Sequence, residues 1–115
     1  LRRVQILHQP ALDSIRRFDS HETLIYCDPP YLHETRDPNS CDVYGVEMSE
    51  ADHRQLASAL DTCRASVVLS GYPSPLYEEL FGHWRQAEFE VANHAAGGGF
   101  KTRKTEVLWI KDAKL

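Results

Sequence analysis

The sequence has little cysteine and no long hydrophobic run, and each shortage argues against a class of protein. Of its 115 residues, three are cysteine, namely Cys27, Cys41 and Cys63, and none of them form a close pair. An odd count without close spacing argues against a disulfide framework and fits a reducing compartment, so we expect a cytoplasmic protein. No apolar run approaches the roughly 20 residues that span a bilayer, so we expect no membrane partner.

Histidine is present but scattered, which argues against a metal centre. The six histidines are His8, His21, His33, His53, His83 and His94. None of them pair at the spacing of zinc ligands, so we expect no metal site. His53 falls within a predicted helix, where we expect it to be a surface or half-buried residue.

Basic residues are in the minority, and they are unevenly distributed. The formal net charge is −4, with a net of −7 over residues 13–61 and of +3 over residues 97–115. The basic residues of the second segment are Lys101, Arg103, Lys104, Lys111 and Lys114. Such a strip can contact the phosphates of a nucleic acid. A solvated strand edge that carries lysine for solubility explains the same charges equally well.

The chain is organised around residues 24–31, Leu-Ile-Tyr-Cys-Asp-Pro-Pro-Tyr. The four apolar residues lack alternation, which predicts a strand buried on both faces of a parallel sheet. Pro29 ends the strand because it has no N–H, and each proline keeps the residue before it out of the helical region. We therefore expect Asp28, the Pro29 carbonyl and Tyr31 to project rigidly from the strand's carboxyl end, where open α/β sheets bind ligands.

The first half of the chain also predicts another strand, a helix and a long loop. Leu1–His8 is expected to be a strand, and Pro10 to open a helix before the strand at 24–27, forming a β-α-β unit. The apolar face of that helix is predicted to consist of Leu12, Ile15 and Phe18. Residues 32–48 have no period and follow the central stretch directly, so we expect a loop over the site.

The second half predicts two helices and three strands. Ser49 is expected to cap a helix whose buried positions are Leu56, Leu60 and Cys63. A second buried strand, Ser66–Leu69, ends in a turn-forming run, and a short helix follows it between Ser74 and Gly82. Two later strands, Glu88–Val91 and Thr105–Ile110, are predicted to form an antiparallel hairpin. The cluster Gly97-Gly98-Gly99 opens no helix, so it suits the hairpin turn better than a phosphate cradle.

Four segments carry a resemblance to a known family, and the resemblance covers nearly the whole chain. They are Asp28-Pro29-Pro30-Tyr31, Tyr44-Gly45-Val46-Glu47-Met48, Val68-Leu69-Ser70-Gly71-Tyr72 and Arg103-Lys104-Thr105-Glu106-Val107-Leu108-Trp109. The chain resembles the Dam-like, phage-type (D12 class) adenine-specific DNA methyltransferases. Asp at the first position of the tetrapeptide is like the DNA enzymes, not the related glutamine methyltransferases.

The resemblance implies the C-terminal part of a Rossmann-like fold that uses S-adenosylmethionine. Full-length relatives also carry a glycine-rich cofactor turn and a target-recognition region. Neither is found in this sequence, so residues 1–115 are expected to be a partial catalytic domain that is inactive by itself. The sheet would then have a gap beside the strand at 24–27, and such an edge invites self-association.

The same resemblance implies roles for particular residues in double-stranded DNA methylation. Asp28 and the Pro29 carbonyl would accept hydrogens from the N6 amine of a flipped adenine, and Tyr31 would stack on its ring. Asp28 and Pro30 would also border the cofactor. Residues implied to contact the substrate further out are Ser70, Gly71, Tyr72, Lys101, Arg103 and Lys104.

The sequence suggests three alternatives to this assignment. Methylation of cytosine N4 uses a similar tetrapeptide, although more often with Ser in the first position, so Asp28 favours adenine. Cys27 could be the nucleophile of a cytosine-ring methylase, but those enzymes place Pro before the cysteine, and here Tyr26 precedes it. A noncatalytic chain that acts only in binding or assembly is the third alternative.

Overall fold

A computed structural model of the protein describes residues 3–30, 48–92 and 103–115. The helices in this part of the chain are α1 (Ala11–Phe18), α2 (Glu50–Thr62) and α3 (Pro75–Phe81). The strands are β1 (Leu24–Cys27), β2 (Ser66–Gly71), β3 (Arg85–Ala92) and β4 (Arg103–Lys111). They form one sheet in the order β1-β2-β4-β3. No helix within the described ranges is long and apolar enough to cross a membrane.

The sheet is mixed, and its parallel part positions the tetrapeptide. β1 and β2 are parallel, with Cys27 opposite Leu69. β4 lies between β2 and β3 and runs antiparallel to both. The predicted parallel pair and the predicted antiparallel pair are therefore confirmed, although β2, β3 and β4 are longer than the apolar runs that predicted them. Because β1 and β2 are parallel, their carboxyl ends meet at one edge of the sheet.

The core lies where α2 and α3 pack against β2 and β4. The large hydrophobic residues that are fully buried are Leu60, Val67, Leu69, Phe81, Val107 and Trp109. The Tyr77 ring packs edge-to-face against Trp109 and against Phe81, with centroid distances of 5.3 and 5.1 Å. Leu56, Leu60 and Cys63 are all buried, so the predicted inner face of α2 is confirmed.

Both later helices begin at the predicted caps. The Ser49 side chain accepts from the Asp52 N–H at 3.1 Å, and the Asp52 carboxylate accepts from the Ser49 N–H at 2.9 Å. This reciprocal capping box satisfies two backbone donors that a helix start otherwise leaves without partners. In α3, Ser74 accepts from the Tyr77 N–H at 3.1 Å, and the helix ends at Gly82.

The strand predicted at Leu1–His8 is wrong, because its described part, residues 3–8, contains no strand. Ile6 is 93% exposed, and Val4 is also exposed. A strand needs a neighbour that exchanges backbone hydrogen bonds with it, and none of the described strands pairs with this segment. The predicted β-α-β unit is consequently absent from the described residues, although α1 itself is present and buries Ile15.

The prediction that the strand at 24–27 is buried on both faces is also wrong. Leu24 and Tyr26 are 67% and 65% exposed, whereas Ile25 and Cys27 are half-buried against the core. β1 is the outermost strand of the described sheet, and no described helix covers the face that carries Leu24 and Tyr26. Phe18 likewise departs from the predicted apolar face, since it is exposed and lies beneath the Arg17 guanidinium.

Candidate active site

The parallel pair brings two predicted site residues together at the carboxyl edge of the sheet. Asp28 directly follows β1, and Ser70 is the last residue but one of β2. The Ser70 hydroxyl donates to Asp28 Oδ1 at 2.9 Å. Asp28 is exposed, so one carboxylate oxygen is held by Ser70 while the group still faces solvent. The described residues supply no hydrogen-bond donor to Oδ2.

The prolines anchor the backbone that carries this carboxylate. Pro29 is buried and Pro30 is half-buried. A proline has a fixed φ, so burying Pro29 immediately after Asp28 restricts how far this turn can move. The position of the Asp28 backbone is thus determined from two sides, by the β1–β2 ladder before it and by the buried proline after it.

A cavity of about 460 Å³ adjoins Asp28 on the side of α1 and α2. Its lining is largely apolar, and the charged and amide-bearing residues in it are Asp28, Asp52 and Gln55. The lining residues are Pro10, Ala11, Leu12, Tyr26, Cys27, Asp28, Pro29, Pro30, Met48, Asp52, Gln55 and Leu56. Asp28 and Pro30, which the resemblance placed beside the cofactor, both belong to it.

Sequence reasoning missed the contribution of α2 to this cavity. Gln55 and Leu56 follow Asp52 by three and four residues, which is the spacing of one helix face. This spacing could be read from the sequence, but it identifies only a helix face and not the element against which that face packs. The packing of α2 beside β1 decides that, and it is a property of the whole fold.

Cys27 also lines the cavity, but it is unsuited to nucleophilic attack. Burial raises the pKa of Cys27 to about 11, and the neighbouring Asp28 carboxylate adds to the effect. The thiolate is the nucleophilic form of cysteine, and a pKa in that range leaves the thiol protonated at neutral pH. The surroundings of Cys27 therefore argue against the cytosine-ring alternative.

Two further predicted substrate residues, Gly71 and Tyr72, lie at the end of β2. Gly71 is buried, and a Cβ added to it would lie 3.3 Å from Cζ3 of Trp109 and 3.4 Å from Cε2 of Tyr77. Any larger residue would therefore crowd these two rings. Tyr72 is half-buried, and Lys104 Nζ lies 5.3 Å from the centroid of its ring.

The other basic candidates are less directly connected to this edge. Arg103 is exposed and forms an ion pair with Glu90 at 3.1 Å across the β3–β4 pair. Lys101 and Tyr31 lie outside the described residues, as do the segment 44–47 and the glycine cluster at 97–99. Within the described ranges, no group of three or more His, Cys, Asp or Glu residues could hold a metal ion.

The prediction that His53 is a surface or half-buried residue is wrong. It is 1% exposed, and its Nδ1 lies 2.9 Å from the Tyr77 hydroxyl. Its Nε2 is buried without a hydrogen-bond partner in the described part of the chain. Burial lowers the pKa of His53, and the Asp52 carboxylate opposes that shift in part. His53 lies three residues before Leu56, on the same buried stripe, but its residue type suggested the surface.

The chain is similar to one known protein family over most of its length. A model of the D12 class N6 adenine-specific DNA methyltransferases matches residues 2–95. A search of curated proteins finds no match. The matched range contains α1, β1, α2, β2, α3 and β3, together with the Asp28 edge and its cavity. The chain belongs to the family of D12 class N6 adenine-specific DNA methyltransferases.

Proposed function

We propose that this chain carries the catalytic edge of an enzyme that methylates the N6 amine of adenine in double-stranded DNA, with S-adenosylmethionine as the donor. The observation that carries the proposal is the Asp28 carboxylate, exposed at the end of a parallel strand and beside an apolar cavity. Family membership supplies the general reaction, DNA adenine methylation. The donor and the roles of individual residues are parts of the proposal.

The described cavity fits the cofactor in size and in chemistry. Its volume of about 460 Å³ lies within the ordinary range of small-molecule sites. The apolar lining suits a nucleoside ring, and the Asp28 and Asp52 carboxylates suit the positive charges of the sulfonium and the ammonium group. Pro30 and Asp28 would border the ligand, which supplies an electrophilic methyl group when it is bound.

The chemical task of the protein is to make a poor nucleophile react. The lone pair of the adenine amine is delocalised into the ring. In our proposal Asp28 and the Pro29 carbonyl accept its two hydrogens, which draws the nitrogen toward tetrahedral geometry and localises the lone pair. The Asp28 charge also stabilises the positive charge that develops on nitrogen as the new N–C bond forms and the S–C bond breaks. The amine proton is then released to Asp28 or to solvent.

Reaching this edge requires the base to leave the duplex. We propose that Tyr31 stacks on the flipped adenine. Ser70, Gly71 and Tyr72 lie at the end of the neighbouring strand, so they would form the adjacent wall. Arg103 and Lys104 are the two predicted basic contacts that the structure describes. Lys104 is the better phosphate contact of the two, because Glu90 already neutralises Arg103. Lys101 is proposed to contribute to the same contact.

We also propose that residues 1–115 form part of a larger catalytic domain. Relatives hold the cofactor with a glycine-rich turn, whereas the one glycine cluster here falls at 97–99, between β3 and β4. The outer edge of β1 pairs with no described strand, and Leu24 and Tyr26 are exposed beside it. We propose that this edge is covered in the complete polypeptide, and that it self-associates when the chain is isolated.

The complete polypeptide that contains these residues provides the test. It is incubated with S-adenosylmethionine and unmethylated double-stranded DNA, and the DNA is then digested to nucleosides for mass spectrometry. We expect N6-methyldeoxyadenosine, and none when the cofactor is omitted. N4-methyldeoxycytidine would replace the proposal by the cytosine alternative. If the DNA stays unmethylated, the noncatalytic alternative, a role in binding or assembly, would replace the proposal.

A further inference from the structure

We propose that Ser70 is a positioning residue for the methylation reaction, acting through Asp28. Its hydroxyl donates a hydrogen bond to Asp28 Oδ1. Oδ2 is thereby left as the oxygen that accepts a hydrogen bond from the target amine. This inference rests on the proposed function, since it assigns the orientation of the carboxylate on which that function depends. Ser70 itself need not touch the base.

The bond between Ser70 and Asp28 joins residues 42 positions apart, through the register of two parallel strands. Cys27 pairs with Leu69, so the residues that follow them lie side by side at the edge. The Asp28 side chain is exposed, and an exposed carboxylate without a partner samples several rotamers. A donor fixed on the neighbouring strand selects one of them before the substrate arrives.

Ser70 can select a rotamer because its own backbone belongs to the sheet. It pairs with Leu108 of β4, and it directly follows Leu69, which pairs with Cys27 of β1. The next residue, Gly71, packs so closely on Tyr77 and Trp109 that a Cβ there would lie 3.3 Å from the Trp109 ring. The Tyr77 hydroxyl in turn bonds to buried His53. A rigid support of this kind is what a precisely oriented catalytic group needs.

A purely structural serine would behave differently from a positioning residue. Its loss would lower stability and substrate binding together with turnover. Ser66 is the matched control, because it lies on the same strand, has the same half-buried environment, and faces the same side of the sheet as Ser70. It stands opposite Leu24, at the far end of β2 from Asp28.

The experiment compares Ser70→Ala, Ser70→Thr and Ser66→Ala in the complete polypeptide. We expect Ser70→Ala to lower kcat on the order of ten- to a hundredfold, the range implied by a hydrogen bond to a charged group. KM for DNA and the unfolding temperature should stay near those of the parent. Ser70→Thr keeps the hydroxyl and should recover most of kcat. Ser66→Ala should match the parent.

Each outcome decides the matter. Parent-like kcat in Ser70→Ala overturns the positioning role while leaving the proposed function intact. If Ser70→Ala lowers the unfolding temperature, Ser70→Cys, which keeps the side-chain size but donates weakly, must show the same selective loss of kcat. If Ser70→Cys keeps a parent-like kcat, the positioning role is overturned as well. A parent and a Ser66→Ala variant that both leave DNA unmethylated overturn the proposed function, and the inference with it.

Discussion

At the scale of single residues, the Asp28 carboxylate faces solvent, while the neighbouring Cys27 thiol is half-buried. Asp28 is exposed, and Ser70 occupies one of its oxygens. Cys27, the residue before it, is turned toward the core, and its pKa is raised to about 11 by burial and by the Asp28 charge. Strand alternation thus separates the two side chains chemically, although they are neighbours in sequence.

The proposed stacking role of Tyr31 can be tested by changing the ring without removing it. We expect Tyr31→Trp to keep measurable methylation, because stacking needs an aromatic face rather than the hydroxyl. Tyr31→Ala should lose about 1–3 kcal/mol of transition-state stabilisation, as for other base–aromatic stacks. The measurement is kcat/KM for DNA in the complete polypeptide. Equal values in the two variants would remove Tyr31 from the base pocket.

His53 should make stability fall in mildly acidic solution. Its pKa in the folded protein is lowered by burial, whereas the unfolded chain binds a proton near the ordinary value of 6.5. Below that pH the unfolded state therefore holds more protons at this position, so the unfolding free energy decreases as the pH falls. Urea unfolding at a series of pH values from about 7.5 to 5 measures this slope.

The variant His53→Phe provides the comparison, because it keeps an aromatic ring but removes the titrating group. It should be less stable at neutral pH, since the Tyr77 hydroxyl loses its partner. Its stability should also depend less on pH than that of the parent across the same range. An unchanged slope in the variant would show that another group causes the pH dependence.

The residues that sequence reasoning identified were those whose local chemistry is distinctive. Asp28 followed from the prolines after it, which constrain the backbone wherever they occur. The partnership of Asp28 with Ser70 did not follow, because it depends on the register of two strands 42 residues apart. His53 was misassigned for a different reason: its position on the buried stripe was readable, but histidine as a residue type is only intermediate in burial.

At the scale of elements, the start of α2 combines helix capping with one wall of the cavity. Ser49 and Asp52 form the capping box, and the Asp52 side chain also lines the cavity next to Asp28. The hydrogen bonds with Ser49 lower the pKa of Asp52, which favours its ionised form. Its orientation is therefore fixed by the cap rather than by a ligand.

Removing the cap should have a measurable cost. We expect Ser49→Ala to lower the unfolding free energy by about 1 kcal/mol, the usual loss when a capping serine becomes alanine. Ser58→Ala is the matched control, because Ser58 is exposed on the same helix and alanine is favourable there. Denaturant unfolding measures the unfolding free energy of both variants. A loss in Ser58→Ala as large as in Ser49→Ala would show that the cap contributes nothing of its own.

The strands show which part of a sheet can be read from apolar runs. Ser66–Leu69 and Thr105–Ile110 identified β2 and β4, but both strands extend further because polar residues continue their hydrogen-bonded ladders. At Leu1–His8 the apolar residues predicted a strand that does not form in the described part of this segment, because no described strand pairs with it. Apolar runs locate the core of a strand, whereas its existence and its ends depend on its neighbours.

At the scale of the whole molecule, the described sheet ends at β1, the strand that leads into Asp28. β1 carries Asp28, and its outer edge has no partner among the described strands. Leu24 and Tyr26 expose large apolar surfaces on the same strand. An exposed strand edge with apolar side chains beside it is a template for pairing with another chain.

We therefore expect the purified 115-residue chain to dimerise or to be loosely packed, and to bind S-adenosylmethionine very weakly. Light scattering and calorimetric titration measure both properties. Leu24→Lys, which places a charge beside the open edge, should shift a dimer toward monomer. A stable monomer that binds the cofactor tightly would contradict the proposal that these residues are part of a larger domain.

The most direct test of the proposed site is Asp28→Ala in the complete polypeptide. Glu88→Ala, at an exposed position on β3, is the matched control that also removes one carboxylate. Methylation of unmethylated DNA is measured beside the unfolding temperature of each variant. We predict that Asp28→Ala abolishes N6-adenine methylation with its unfolding temperature preserved, while Glu88→Ala remains active. Near-parental turnover in Asp28→Ala would contradict the assignment of Asp28 as the residue that activates the amine.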